Sequence, residues 1–383
     1  GVFKYKQFAK TRELYSEAAL GLDGFKNARD RTMLQILNTD SFKSKMSEFV
    51  KDDSQRNMIF SEDLKNMVHL AEKQDVQLLS SMIEKFCSQS KEARFGNFVF
   101  GPVVMRLLHH LKDCDTALSL FKKEELNGFF DQLASYQVLF DLLFENGRYE
   151  DVLVAFDTIK SRQVQGGRFP KHSVVLALAS CYKLNTPASF EYASKVFKEA
   201  NDSGHNIMRR GQTFFASLAM KQGKPHISLE VLNNSRPNYL TIRTLKALAF
   251  AQLRRYDDSL AVLKSLVALD NPTAEKQTFP KSLIEDLKLL FQESTNKELQ
   301  LDFEKVLGFL DKHGHISQNS IDEILCSEIQ HTPRTENDRF NNNDYNQFRG
   351  NQHNSNYSRR DRDARPQKRE FDYPRRPGLH ELN

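Results

Sequence analysis

The sequence predicts an all-α protein: a right-handed solenoid of helical hairpins followed by a disordered C-terminal tail. Three observations carry that prediction. Apolar residues recur at helical spacing, short turn signals interrupt them, and a small-to-large residue pair repeats along the chain. The clearest stretch runs from Ala134 to Lys160. Tyr136, Leu139, Phe140, Leu143 and Phe144 share one helical face. Asn146-Gly147 stops that helix, because both residues tolerate the left-handed backbone that closes a C-terminus. Glu150 and Asp151 place carboxylates at the positive end of a second helix, whose apolar stripe is Val152, Leu153, Phe156 and Ile159. So short a turn makes the two helices antiparallel. One hairpin cannot bury both of its faces, so it requires copies of itself.

The copies are marked by a small residue followed four places later by a large apolar one. These pairs are Ala117/Phe121, Val152/Phe156, Ala193/Phe197, Ser228/Leu232 and Ser259/Leu263, offset by 35, 41, 35 and 31 residues, with a weaker copy at Leu79/Ile83. The turn recurs as well. Asn146-Gly147-Arg148-Tyr149-Glu150-Asp151 answers Leu253-Arg254-Arg255-Tyr256-Asp257-Asp258, with Gln222-Gly223-Lys224 between them.

Taken in order, residues 1–55 form an N-terminal extension with short helices. Residues 1–30 lack a sustained pattern, Arg31 to Leu37 begin a helix with Met33, Leu34 and Ile36, and Phe42, Met46 and Phe49 mark another. Asp52-Asp53-Ser54 is a solvated turn, since no further acid converges on it. The hairpin array spans 56–270. Its first unit pairs 61–72 with 76–88, Ser61 being the expected N-cap. The next pairs Phe98–Leu111 with Thr116–Phe121. His109 and His110 in it point about 100° apart, so they do not clasp one metal ion; one is expected to be buried and the other exposed. After the strong repeat, the run 163–167 lengthens the connection. Its Gly166-Gly167 is no phosphate loop, having neither a preceding strand nor a following GKS or GKT. Residues 172–183 pair with 188–200, and Pro187 suits the first turn of the second helix. Arg209 to Lys221 is followed by a helix from Pro225, and 241–254 by 257–268; Asp270-Asn271-Pro272 ends the array. Capping helices occupy 271–331, with capping boxes at Ser282/Glu285 and Ser320/Glu323 and a helix over 299–310. They supply the end that a solenoid needs.

Residues 332–383 are polar and nearly free of aliphatics, so they cannot offset chain entropy by burial and should be disordered. Arg349, Arg359 and Arg360 alternate there with Phe340, Tyr345, Phe348 and Tyr357. Arginine neutralises phosphate and the rings offer stacking faces to unpaired bases, although the acids in the tail equally suit a solubilising role.

Ser135-Tyr136-Gln137, Asn146-Gly147-Arg148, Val152, Phe156 and Phe169-Pro170 resemble the pentatricopeptide repeat, a helical hairpin used in RNA-binding arrays. The resemblance extends from the opening GVFKYKQFAKTREL to the tail, and the repeat at 133–170 carries its strongest motif. It implies an RNA-associated protein of the mitochondrial matrix, acting in transcript processing or maturation without itself cleaving. The implied partners are single-stranded mitochondrial RNA and other RNA-processing or ribosome-associated proteins. In this family the base is chosen by the residue after the Tyr of the first helix and by the last residue of the repeat, here Gln137 and Lys171. That pair departs from the usual Asn, Ser or Thr with Asp or Asn. Leu176 follows in the next repeat, and Thr213, a better match, in the one after. Binding by shape and phosphate contact is therefore expected, through Arg209, Arg210, Lys221, Arg243, Arg254 and Arg255.

The 383 residues carry a net charge of only +5, of which the tail beyond 332 contributes +3. The nearly neutral array also fits a tetratricopeptide-type protein scaffold. Cys87, Cys114, Cys181 and Cys326 lie too far apart for a zinc knuckle or redox pair, so free thiols are expected. No cofactor motif and no nucleophile–base set is assignable, and no apolar run approaches a membrane span. The chain opens on Gly1, and Lys4, Lys6, Lys10 and Arg12 among aromatic residues suit the region following an organellar presequence.

Overall fold

The turn between helices sets the architecture. At Gly147 the backbone is left-handed with φ 72°, and the same region holds Gly223 at 67° and Arg254 at 60°. In each case two amides fold back onto the preceding helix. Gly147 and Arg148 donate to the carbonyls of Phe144 and Leu143, Gly223 and Lys224 to those of Met220 and Ala219, and Arg254 and Arg255 to those of Ala251 and Phe250. This pattern reverses the chain tightly while satisfying carbonyls that a helix end leaves free. Asn146 itself is not left-handed, having φ −92°; in this turn Gly147 bears that conformation.

The structure, a computed structural model, describes residues 14–52, 57–89, 98–164, 167–233, 239–267 and 277–329. Within them a one-turn helix α1 (Glu17–Leu20) precedes α2 (Leu22–Gln35) and α3 (Thr39–Lys51). The hairpins follow as α4 (Ser61–Leu70) with α5 (Val76–Ser88), α6 (Phe100–Leu111) with α7 (Cys114–Lys122), and α8 (Leu133–Glu145) with α9 (Tyr149–Arg162). Next come α10 (Lys171–Leu184) with α11 (Pro187–Asp202), α12 (Arg209–Lys221) with α13 (Pro225–Asn233), and α14 (Leu240–Gln252) with α15 (Tyr256–Val267). The last described elements are α16 (Lys281–Gln292), α17 (Lys297–Lys312) and the short α18 (Ile321–Leu325). The even-numbered helices from α2 to α16 pack in series, each on the next, while α9, α11 and α13 lie against both their own partner and the following first helix.

The stacking runs past both expected ends of the array. α2 packs on α4 and α3 on α5, and likewise α16 packs on α14 and α17 on α15. The N-terminal helices and the capping helices therefore continue the hairpin pattern. The anchor residues are buried in the junctions: Ala117, Val152, Phe156, Ala193, Ser228, Leu232, Ser259 and Leu263 are each at most 1% exposed. Phe197 is half-buried and packs at a tilt against Phe215 of the next hairpin, ring centres 5.0 Å apart.

Four local expectations are corrected. α2 already begins at Leu22 and ends near Arg31–Leu37 rather than starting there; Leu34 and Leu37 are 80% and 97% exposed. The cap of α4 is Phe60, whose amide donates to the Asp63 carboxylate, so Ser61 is the first helical residue. Ser282 makes no cap for α16; its hydroxyl accepts the amide of Ile321 instead. Two short strands, unforeseen, join Phe279–Pro280 to Ile316–Ser317 in parallel, with Phe279 opposite Ile316. Together, the strand pair and the Ser282 contact turn the chain so that α18 lies against α12 and α14. The Ser320 capping box is present, as is Pro187 in the first turn of α11 after the Thr186 cap. Asp53, Ser54, Gly166, Asp270, Asn271 and Pro272, and everything from 330 onward, fall outside the described residues.

Candidate nucleic-acid interface

A first helix packed between two neighbours and its own partner has one side left over. On α10 and α12 that side is covered as well, since Ser173 to Tyr182 and Thr213 to Met220 are buried without interruption. Continuous burial of a helix means contact all round it. The cover comes from the two ends of the described chain. Tyr15, 1% exposed, meets the His172 ring edge-on with its hydroxyl 3.1 Å from Nδ1. Burial, with Asp141 nearby, pushes its phenol well above the ordinary value. Arg106 of α6 donates to the Leu20 carbonyl at 2.8 Å. From the other end, α18 and the residues after it run along α12. Near the C-terminal ends of α10 and α12, Lys183 pairs with Asp322 at 3.1 Å and Lys221 lies 4.0 Å from the centre of the Tyr182 ring. Near the N-terminal end of α12, Arg210 donates to the carbonyls of Ile324 and Leu325 at 2.9 and 2.7 Å and to the Ser327 hydroxyl at 3.1 Å. The two covering segments also bond each other, Ile329 N–H to the Leu14 carbonyl at 2.8 Å.

Charges on this face are balanced within the chain. Burial would raise the Asp322 carboxyl, but Lys183, with Tyr182 and Lys221, holds it below its ordinary value. Burial pulls Lys221 down, against the attraction of Asp322. Arg210 is lowered by burial and by Arg209 beside it, yet stays charged as arginine does.

The residues expected to read or hold RNA separate into three groups. The first lies in the packing. Thr213 is 1% exposed and its hydroxyl donates to the Arg210 carbonyl at 2.9 Å. Arg243 is 7% exposed beside Gln277 at 3.2 Å. Arg210 is spent on the carbonyls of 324 and 325, and Leu176 is fully buried. Gln137, half-buried on α8, keeps an amide nitrogen with no hydrogen-bond partner among the described residues. It lies one and two turns before Asp141 and Glu145 on one helix face. A second group is exposed: Lys171, Arg209, Lys221, Arg254 and Arg255. Arg209 stacks on Tyr239 at 3.4 Å, and Arg255 on Phe250 at 4.7 Å while pairing with Asp258. Arg349, Arg359 and Arg360, the third group, are outside the described residues. The expectation of a reading surface at Thr213 and Arg243 is thus corrected: both side chains are enclosed.

Sequence reasoning passed over Lys183, His172, Tyr182, Asp141 and Asp322. Asp322 had a signal, as an acid in the first turn of a capped helix, but its partner is 139 positions away. His109 is half-buried and His110 exposed, as the helical spacing predicts. His109 Nε2 lies 2.9 Å from Asp141 Oδ2 and 3.7 Å from Glu145 Oε2. The three donor atoms fall within 4.8 Å of one another, beside a cavity of about 270 Å³ that also reaches Glu17 and Lys26. They could close on a cation only by giving up the direct His109–Asp141 bond. All four cysteines are free, Cys87 half-buried and the others buried, and no helix among the described residues is long and apolar enough to cross a membrane.

Comparison with known proteins places this hairpin stack. The chain is 30% identical over 284 residues to pentatricopeptide repeat-containing protein 2, mitochondrial, of Mus musculus, covering 73% of this chain and 72% of that protein. The chain belongs to the pentatricopeptide repeat-containing protein 2 family. The Xenopus laevis protein of the same name is 28% identical, over 84% of each chain, and the Homo sapiens one 27% identical, over 73% of this chain and 71% of its own. No protein-family model matches the chain. Family membership thus rests on these relatives.

Proposed function

We propose that the protein binds single-stranded RNA in the mitochondrial matrix and acts in the maturation of mitochondrial transcripts, holding RNA for other proteins to process and not cutting it. The observation that carries this reading is membership of a family whose relatives are named as mitochondrial pentatricopeptide repeat proteins. Exposed Arg209, with Tyr239 stacked beneath it, and exposed Arg254 and Arg255 offer charge and a ring to a strand. Arg349, Arg359 and Arg360 add charge from the tail. With Thr213, Leu176 and Arg243 enclosed, recognition goes through phosphate and shape in place of a base-by-base code.

Crosslinking RNA to the protein inside mitochondria and sequencing it is the test. Enrichment of mitochondrial transcripts at defined regions is expected. Recovery of no RNA above a tag-only control would overturn the reading. A second reading, a protein scaffold or assembly factor, is favoured by one observation: the side of α10 and α12 that an array would offer to RNA is covered by residues 14–20 and 321–329. A protein partner that co-purifies in fixed ratio with no RNA present would establish it.

A further inference from the structure

Asp322 is the acid that lies on the inner cations. It pairs with Lys183 at 3.1 Å and adjoins Tyr182 and Lys221. From there the chain follows α12 toward its N-terminus, and over the eleven residues between Lys221 and Arg210 the helix rises about 16 Å. At the far end Arg210 is met by carbonyls of Ile324, Leu325 and Glu328 and by the Ser327 hydroxyl. Apart from the Cys326 thiol beside Lys183, the polar groups that the segment offers Lys183 and Arg210 are oxygen acceptors. One carboxylate and a row of carbonyl oxygens along a helix face stand where the phosphate oxygens of a strand would meet the same residues, and the Tyr182 ring beneath Lys221 offers a base a stacking face. The segment is held at its sides by Leu325, Cys326 and Ile329, which join the main core, and by the Ile329–Leu14 bond. Apolar anchors fix it in place, and its Asp322 carboxylate is matched by Lys183 of the array.

We propose that residues 321–329 are a built-in competitor for RNA, seated on Tyr182, Lys183, Arg210 and Lys221, and that displacing them opens this face to the phosphates of a single strand. The proposal rests on the RNA reading above.

The experiment uses full-length protein and a fluorescently labelled oligouridine, with affinity measured over a salt series. Asp322→Asn removes the competing carboxylate, and Asp322→Asn with Leu325→Ser also loosens the segment, which is followed independently by amide exchange at Ile329. Expected are faster exchange in the double variant, at least fivefold tighter RNA binding at low salt, and a log–log salt slope steeper by about 0.7, from the one lysine that Asp322 pairs, at roughly 0.7 per phosphate on a single strand. Adding Lys183→Gln should return affinity and slope to those of the parent. If the parent binds RNA but neither variant changes affinity or slope, the competitor proposal is wrong and the RNA reading stands. If no version binds RNA even at low salt, the RNA reading itself fails and the proposal falls with it.

Discussion

Arg254 occupies the backbone position that equivalent turns give to Gly147 and Gly223, with φ 60°. A side chain in the left-handed region costs about 1–2 kcal/mol, and glycine returns about 0.5–1 kcal/mol of that through its own chain entropy. Arg254→Gly is therefore expected to stabilise the protein by about 0.5–1 kcal/mol, read from denaturant midpoints at unchanged m-value. Its pairing with Glu293 at 4.0 Å is exposed and worth little. His69 sets a different expectation. Burial, against the pull of its hydrogen bond to Lys65, holds the ring below its ordinary value of 6.5, and it stacks on Phe25. The folded protein resists a proton that the unfolded chain accepts. Stability is then full above about pH 6.5 and declines as pH falls from there toward the lower folded value. His69→Gln should flatten that decline in urea melts taken between pH 7.5 and 5; an unchanged pH profile would contradict it.

At the scale of elements, what matters is how one helix end is closed by another helix. Arg29 of α2, 5% exposed, donates to the carbonyls of His69 and Ala71 at 3.1 and 2.8 Å and pairs with Glu72. It closes the C-terminus of α4 from outside, so Arg29→Met should leave two carbonyls unpaired and cost about 3 kcal/mol. Loss of that order in chemical denaturation, with hydrogen exchange speeding first in α2 and α4, is the expected result. Phe156 shows the same dependence in the core, touching Phe140 of its own hairpin and Phe169 at the head of the next. Phe156→Ala should cost about 3–5 kcal/mol and spread the damage to neighbouring hairpins, since each relies on the next. An unshifted melting temperature would mean that the junction is not where the anchor pairs put it.

For the whole molecule, the question is where the positive charge acts. The tail holds +3 of the net +5, and the inner cations are paired within the chain. Removing residues 333–383 should weaken RNA binding and flatten its salt dependence. Replacing Arg209, Arg254 and Arg255 by Gln should weaken it further, the slope falling by roughly 0.7 for each phosphate that is no longer neutralised. Should the tail account for all of the affinity, the hairpins serve as a scaffold and the contact is nonspecific.

Hairpin positions, the anchors Val152/Phe156 and Ser259/Leu263, the Gly147 and Gly223 turns and the Ser320 cap were all legible in the sequence, because each depends on residues within one or two helical turns. Met33, Leu34 and Leu37 misled for the same reason: their spacing is helical, but they lie exposed, at 39%, 80% and 97%. Tertiary structure alone decided that Ser282 would hold Ile321, that Tyr15 would meet His172 across 157 positions, and that Arg210 would be spent on carbonyls 114 and 115 positions away. Those partners are set by the summed angles of many hairpins, which no local pattern encodes. Whether a basic residue on a first helix faces solvent or the chain's own end depends on that sum.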